Sequence, residues 1–221
     1  KISADEDVRV KTLSIGVVIP DKFIELARDN KPMYLFYPKN LWDNHGVTID
    51  EIDMDEWYDK LINDPEIRKQ KIDPRDLLEQ ISITQIESGY PYIMFEDNVN
   101  KDHALNNLGK VKFSNLCSEI LQYSEVSQYT DYDEEDIIGQ DISCNLGSLN
   151  IGNVMNNKDF ENTIRYSIKA LTRVSDETDI RNAPAVKKAN DEMHSVGLGA
   201  LGLHGYLAQN GIMYESQEAI E

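Results

Sequence analysis

The sequence is poor in cysteine, in positive charge and in long apolar runs. It has 221 residues but only two cysteines, too few for a disulfide scaffold, which predicts a protein of a reducing compartment such as the cytoplasm. Lys and Arg number 22 against 40 Asp and Glu, and the net charge of −18 disfavours nucleic acids and anionic membrane surfaces as partners. No apolar run approaches the roughly 18 residues of a membrane-spanning helix. A nucleotide pocket stays compatible with this charge, because such a pocket needs only a few donors.

The composition nevertheless predicts a folded core. Hydrophobic residues make up 40% of the chain, and eleven Tyr, five Phe and two Trp contribute aromatic bulk. A composition this apolar is not typical of an intrinsically disordered protein. The length suits one large domain or two small ones. Lys1 opens the chain without an initiator methionine or a signal-peptide pattern, so we expect a piece of a longer or processed protein.

Segments rich in β-branched residues alternate with segments of helical periodicity, which predicts an α/β fold. Asp73 followed by Pro74 predicts the start of a helix, and Gly89 predicts its end. The remaining chain is expected to be irregular, with a polar turn at 96–100 and an acidic, tyrosine-containing loop at 123–140. The predicted strands cover 8–19, 33–37, 90–95 and 142–151; the predicted helices cover 21–30, 55–63, 73–89, 159–175, 184–194 and 196–210.

Residues 197–202 match the G-x-G-x-x-G pattern of dinucleotide-binding loops. That pattern requires a strand directly before the first glycine, whereas residues 187–195 have helical periodicity. We therefore expect the three glycines to let a helix pack closely against a neighbour. The four histidines show no spacing typical of zinc ligands, so no metal site is predicted.

The chemistry that this sequence offers centres on Cys117. It lies in Ser114 to Ile120 (Ser-Asn-Leu-Cys-Ser-Glu-Ile), which is expected to be extended or loop-like. In an extended segment alternate residues share a face, which would place Asn115, Cys117 and Glu119 side by side. An amide can bind a hydroxyl group, a carboxylate can accept its proton, and a thiol can act as a nucleophile or redox centre. From spacing alone a buried, inert thiol is favoured, because free cysteine is among the most buried residue types.

The second cysteine, Cys144, follows 27 residues later in Asp141 to Asn150 (Asp-Ile-Ser-Cys-Asn-Leu-Gly-Ser-Leu-Asn). Sequence spacing cannot show whether it contacts Cys117. A redox-active thiol and a packed, inert thiol therefore both remain open for this residue.

Four segments of the chain resemble the large subunit of class Ib ribonucleotide reductase. They are Val8 to Pro20, Ser88 to Asp97, Ser114 to Leu121 and Asp141 to Asn150. Their order and spacing agree along essentially the whole chain, and four ordered motifs are far more specific than one cysteine motif. The chain is thus identified as a member of this family, which favours a functional interpretation of both thiols.

The resemblance implies a role for each residue of the cysteine motifs. Cys117 matches the cysteine that becomes a transient thiyl radical and abstracts the ribose 3′ hydrogen. Glu119 matches the carboxylate that accepts the 3′-hydroxyl proton, and Asn115 matches the amide that binds the ribose hydroxyls. Cys144 matches one of the two thiols that reduce the substrate and end as a disulfide. The implied substrate-binding segment is Asn115, Leu116, Cys117, Ser118 and Glu119.

The implied fold is part of a ten-stranded α/β barrel, built from two parallel five-stranded halves, with the radical cysteine on a loop inside it. The implied partners are a ribonucleoside diphosphate, a second large subunit, a small subunit whose di-metal centre (Mn or Fe) generates the radical, and a glutaredoxin- or thioredoxin-like reductant. No cofactor or metal is expected in this chain itself, but dNTP and ATP are the implied effectors. Ala4 to Leu13 matches the loop that relays effector identity, where Arg9 and Lys11 are either effector contacts or edge-strand charges.

The resemblance also implies that residues 1–221 are the central portion of the barrel domain, about a third of the large subunit. The N-terminal helical part, the second redox cysteine, the phosphate-binding loop, the tyrosine relay and the C-terminal cysteine pair are expected elsewhere. The leading hypothesis is a catalytic core segment of ribonucleoside-diphosphate reductase. One alternative is a non-catalytic nucleotide-binding or assembly fragment that needs complementing chains, which gene neighbours would test. Another is an acidic interaction domain with two buried thiols, which alkylation would test.

Overall fold

The computed structural model describes residues 13–221, in which short strands alternate with helices, as an α/β fold requires. The chain divides after Ser124 into two compact units. The strands are β1 (Gly16–Ile19), β2 (Met33–Phe36), β3 (Lys69–Ile72), β4 (Tyr92–Phe95), β5 (Asn145–Asn150) and β6 (Val196–Leu201). The helices are α1 (Asp21–Arg28), α2 (Pro38–His45), α3 (Met54–Asn63), α4 (Pro74–Ser88), α5 (Glu96–Asp102), α6 (Ile151–Met155), α7 (Phe160–Glu177), α8 (Pro184–Met193), α9 (Leu203–Gln209) and α10 (Gln217–Ile220).

The first unit contains one parallel and one antiparallel strand pair. β1 runs parallel to β4, with Gly16 opposite Tyr92 and Ile19 opposite Phe95. β2 pairs with β3 in antiparallel orientation. A compact apolar cluster forms where α2 and α3 bury their inner faces. Its members are Leu41, Ile52, Leu61 and Ile67.

The structure confirms several predicted helices, and for one of them the predicted capping residues are in place. The Asp73 carboxylate accepts a hydrogen bond from the Arg75 amide at 2.8 Å and so caps α4. Gly89 ends the same helix with a φ of 77°, a conformation that glycine adopts without steric cost. α1 and α7 also form where their apolar periodicity predicts them.

The expectation of irregular structure over 38–72 is wrong at both ends of that range. Residues 38–45 form α2, with Pro38 at the first helical position and Gly46 at its end. Residues 69–72 form β3. α2 buries only Leu41, so its sequence carries no apolar stripe that could reveal it. The predicted polar turn at 96–100 is likewise wrong, because these residues belong to α5.

The second unit is built on the parallel pair of β5 and β6, against which α7 packs. A buried polar network joins β5 and α7 to the helix α8. The Asn190 Oδ1 atom accepts from Ser175 Oγ at 2.9 Å and from Asn145 Nδ2 at 3.3 Å, while Asn190 Nδ2 donates to the Ser175 carbonyl at 2.9 Å. Both the oxygen and the nitrogen of the Asn190 side chain therefore have hydrogen-bond partners, as burial of a polar side chain requires.

The prediction of a glycine-rich helix over 196–210 is wrong. Residues 196–201 form β6, and the helix α9 begins only at Leu203. A Cβ on Gly197 would lie 2.6 Å from Cδ2 of its cross-strand partner Leu146, so this glycine serves the packing of two strands. The pattern still does not fit a dinucleotide-binding loop, because Gly197 and Gly199 lie inside a strand instead of after one.

The strands of residues 13–221 form three two-stranded pairs and do not close a barrel. The acidic loop contains two antiparallel bridges, between Glu125 and Gln140 and between Gln128 and Ile137, which give it the form of a hairpin. Within the described residues, no helix combines the length and the apolar character needed to cross a membrane.

Candidate functional site

The segment around Cys117 forms a tight turn. The Ser118 amide donates to the Asn115 carbonyl at 3.1 Å, which places Leu116 and Cys117 at the tip. The Asn115 side chain closes the loop further, because its Oδ1 atom accepts from the Ile120 amide at 3.0 Å. Ser118 adopts a left-handed backbone with a φ of 62°. The Cys117 side chain is exposed, so its thiol is accessible.

These hydrogen bonds overturn the argument from strand alternation. Because residues 115–118 turn back on themselves, a period of two does not describe where the Asn115, Cys117 and Glu119 side chains point. The alternative of a buried thiol at Cys117 is also wrong. Asn115 is half-buried and Glu119 is exposed. Among the described residues, the Asn115 Nδ2 group has no hydrogen-bond partner, so one end of this amide holds the turn and the other is available.

The chain that leads into the turn is anchored. Val111 is fully buried, and the Asn100 side chain on α5 accepts from its amide at 2.7 Å and donates to its carbonyl at 3.1 Å. Lys112 Nζ lies 2.6 Å from Asp50 Oδ2. This hydrogen bond from Lys112 lowers the pKa of Asp50, and a second one from Thr48 adds to the effect. Residues 111 and 112 are therefore held in place a few residues before the turn begins.

Two tyrosines near the start of β4 lie close to the turn, although nothing in the sequence analysis singles them out. The rings of Tyr90 and Tyr92 are 5.1 Å apart, and the Tyr90 hydroxyl lies 3.2 Å from Ser14 Oγ. The pKa of Tyr92 is raised, first by the charge of Tyr90 and then by desolvation, with Cys117 and Glu119 adding to the shift. Both acidic groups of the turn are therefore within electrostatic reach of Tyr92.

A cavity of about 490 Å³ lies beside the turn. Ser114 and Ser118 line it, together with side chains of β4 and α5 such as Ile93 and Val99. The three predicted catalytic side chains are not part of its lining. This cavity is therefore not a place where Asn115, Cys117 and Glu119 come together.

Cys144 lies in the second unit, directly before β5, and is half-buried. Its Sγ atom lies 3.6 Å from the position that a Cβ on Gly197 would take. The missing side chain at Gly197 therefore leaves space for the sulfur beside β6.

Arg9 and Lys11 lie outside the described residues. In residues 13–221 no group of three or more His, Cys, Asp or Glu side chains could hold a metal ion. His45 instead pairs with Asp64, with Nε2 at 2.9 Å from Oδ2.

Comparison with known proteins gives a consistent result. The family model of the ribonucleotide reductase barrel domain matches residues 1–221. The chain is 66% identical over 219 residues to the ribonucleoside-diphosphate reductase subunit alpha of Bacillus subtilis, covering 99% of this chain and 31% of that protein. It is 42% identical over 220 residues to the Mycoplasma genitalium subunit alpha and 28% identical over 234 residues to that of Treponema pallidum. It covers 30% and 28% of those two proteins, so the chain spans about a third of the length of its relatives.

Proposed function

The chain belongs to the ribonucleotide reductase family, and we propose that it is a catalytic segment of the α subunit of a class Ib ribonucleoside-diphosphate reductase. Its substrate is a ribonucleoside diphosphate, which the complete enzyme reduces to the deoxyribonucleotide used in DNA synthesis. One observation carries the proposal beyond the family match. A thiol stands exposed at the tip of a turn that is closed by the neighbouring amide.

Cys117 is the proposed radical residue. An S–H bond is weak enough to lose its hydrogen atom to a radical, and the resulting thiyl can take the 3′ hydrogen of a ribose. This transfer requires close approach and a fixed geometry. The exposure of Cys117 supports the first requirement, and the hydrogen bonds between Asn115 and Ser118 and between Asn115 and Ile120 support the second.

Glu119 and Asn115 are proposed to bind and activate the ribose. Glu119 acts as the general base that accepts the 3′-hydroxyl proton. Asn115 divides its amide between two tasks, since Oδ1 holds the Ile120 amide and Nδ2 remains to donate to a ribose hydroxyl. Leu116 and Ser118 complete the substrate-binding segment between these residues.

Cys144 is proposed to supply reducing electrons. It acts with a second cysteine outside this chain, and the two thiols give two electrons to the substrate and become a disulfide. A glutaredoxin- or thioredoxin-like protein then restores the thiols. The half-buried position of Cys144, with space left by Gly197, is compatible with a thiol that a substrate reaches from one side.

The wider assembly is part of the same proposal. Residues 1–221 form the central portion of an α/β barrel domain of ten strands, which other parts of the α subunit complete. A small subunit with a Mn or Fe di-metal centre supplies the radical, and two α subunits form a homodimer in the cytoplasm. dNTP and ATP act as effectors, with Arg9 and Lys11 as candidate contacts.

The test is a set of exchanges in the full-length α subunit, assayed with its radical-generating partner on a substrate labelled at the 3′ hydrogen. Cys117→Ser is nearly isosteric, but its O–H bond is too strong for the radical to be loaded. Product formation and 3′-label release should both fall to background, while substrate affinity stays within about threefold. Glu119→Gln keeps the shape but removes the base, which should cost about 10² to 10⁴ in rate.

Cys144→Ser is the matched control, because it also replaces one thiol with a hydroxyl. Cys144 is proposed to act after hydrogen abstraction, so this variant should still release label from the 3′ position while forming no product in sustained turnover. If Cys117→Ser keeps more than a trace of activity, the thiyl assignment is wrong. If both variants lose label release equally, the division of roles between the two cysteines is wrong.

A further inference from the structure

The strand pair of β5 and β6 has one face covered by a helix and one face turned away from it. On the covered face, a Cβ on Gly147 would lie 3.3 Å from Cδ2 of Leu171, which belongs to α7. Successive side chains of a strand point to opposite faces, so Leu146 and Cys144 belong to the other face. Both reach towards β6, where a Cβ on Gly197 would lie 2.6 Å from Cδ2 of Leu146 and 3.6 Å from Sγ of Cys144. The Cys144 sulfur therefore lies on the face turned away from α7.

The same face borders a cavity of about 650 Å³. Gly197 and Gly199 line this cavity from β6, and Leu146 and Ser148 line it from β5. A residue without a side chain lets another group approach the backbone closely. A molecule that enters the cavity therefore meets bare backbone at Gly197, directly beside the Cys144 sulfur.

A single methyl group at Gly197 would change the access to this sulfur with little change in the fold. At 3.6 Å the methyl carbon makes an ordinary van der Waals contact with Sγ of Cys144, so it covers the sulfur on that side without pushing it away. The clash at 2.6 Å involves only the end of the Leu146 side chain. Because Leu146 is 60% exposed, this side chain has room to rotate away.

We propose that Gly197 is a positioning residue for the reaction, because it keeps the approach to the Cys144 sulfur open on the face turned away from α7. This role rests on the proposed function of Cys144 as a reducing thiol. A thiol can react with a ribose only when the two come into contact in a suitable orientation. The space above Gly197 lets the ribose of a ribonucleoside diphosphate reach the sulfur from the cavity.

The first measurement is the rate at which iodoacetamide alkylates Cys144 in the reduced full-length α subunit, followed by mass spectrometry of the peptide that contains this cysteine. Gly197→Ala should slow the alkylation at least about threefold, because thiol reactivity depends on exposure. Gly199→Ala is the matched control on the same strand. Its added methyl group would lie 3.5 Å from Ser148 Oγ, in ordinary contact, and Cys144 should react at the native rate.

The second measurement adds the radical-generating partner and compares product formation with release of label from the 3′ position. Gly197→Ala should lower product formation about tenfold, while label release and KM for the nucleotide stay within about threefold of the native values. A general loss of structure would lower label release and product formation together. If Gly197→Ala does not fold, the double variant with Leu146→Ala takes its place, because it removes the atom that the new methyl group would meet at 2.6 Å.

Three results would overturn the role of Gly197. One is an alkylation rate in Gly197→Ala equal to that of the native protein, and another is an equal loss of label release and product. The third is slow alkylation in Gly197→Ala that returns to the native rate when Leu146→Ala is added, because the displaced Leu146 would then be what covers the sulfur. Failure of the proposed function is distinguishable, since it appears as sustained product formation by Cys144→Ser, whereas the alkylation rate reports access to the sulfur whatever its role.

Discussion

In the proposed function the two ends of the Asn115 amide have separate tasks, and this separation can be tested by two substitutions. Asn115→Ala removes both the acceptor that binds the Ile120 amide at 3.0 Å and the donor offered to the substrate. Asn115→Asp removes only the donor, because a carboxylate oxygen can still accept from Ile120. Aspartate is also favoured at the first position of a turn, so it should preserve the fold of this segment.

The expected size of the effect follows from the single bond that is lost. A typical intramolecular hydrogen bond contributes about 0.5–1.5 kcal/mol net, which corresponds to an opening equilibrium about 2- to 13-fold more favourable in Asn115→Ala. Hydrogen exchange of the Ile120 amide should accelerate by that factor. In Asn115→Asp the amide keeps its acceptor, so its exchange should not accelerate.

Hydrogen-exchange mass spectrometry on a peptide spanning residues 116–122 of the full-length α subunit provides the measurement, and peptides from α4 serve as the internal reference. Both variants should lose nucleotide reduction, although only Asn115→Ala loosens the turn. Equal exchange at Ile120 in the native protein and in Asn115→Ala would refute the structural task of the amide. Full activity in Asn115→Asp would refute its task as donor.

Three further outcomes are expected. The pKa of Asp50 is lowered below 3.8, first of all by Lys112, so the Asp50 carboxylate stabilises the folded state above pH 3.8, and this contribution is lost as the pH falls through the folded-state pKa. The melting temperature of the native protein should therefore fall towards that of Asp50→Asn between pH 6 and pH 3. Melting temperatures of the two proteins that change in parallel over this range would contradict the prediction. Asn190→Ala leaves Ser175 Oγ buried without its 2.9 Å acceptor and should lower the free energy of unfolding by about 1–3 kcal/mol, whereas a loss below about 0.5 kcal/mol in denaturant titration would argue against the network. The 221-residue chain by itself should self-associate in sedimentation experiments and show no turnover, because its sheets keep unpaired edges; a cooperatively folding monomer would disprove this.

The sequence predicted correctly those helices and strands that are determined by residues close together in the chain. α4 has its cap at Asp73 and its stop at Gly89, and both work in the structure as the sequence indicates. α2 escaped prediction because it buries a single side chain, Leu41, and a helix with one buried side chain shows no apolar periodicity. β6 escaped prediction because its strand conformation depends on pairing with β5, which lies about fifty residues earlier in the sequence.

The same distinction holds at the candidate site. The spacing of Asn115, Cys117 and Glu119 drew attention to the correct segment, but alternation along a strand was the wrong geometry for it. Asparagine at the first position of a four-residue turn was a local signal that could have corrected it. The Tyr90–Tyr92 pair next to the turn depends on contacts between distant parts of the chain, so no local pattern could reveal its relation to Cys117.

A turn suits the proposed radical role of Cys117 better than the strand that alternation would require. A strand residue shares its face with neighbours two positions away and with its cross-strand partners, which restricts approach of a ligand to the sulfur. At the tip of a turn Cys117 is exposed, and its position is still fixed by hydrogen bonds among Asn115, Ser118 and Ile120. Access to the sulfur and a fixed position of the sulfur are separate requirements, and they should have separate kinetic signatures. Loss of access should raise KM, whereas loss of the fixed position should lower kcat, and this contrast separates the two contributions in a single kinetic comparison.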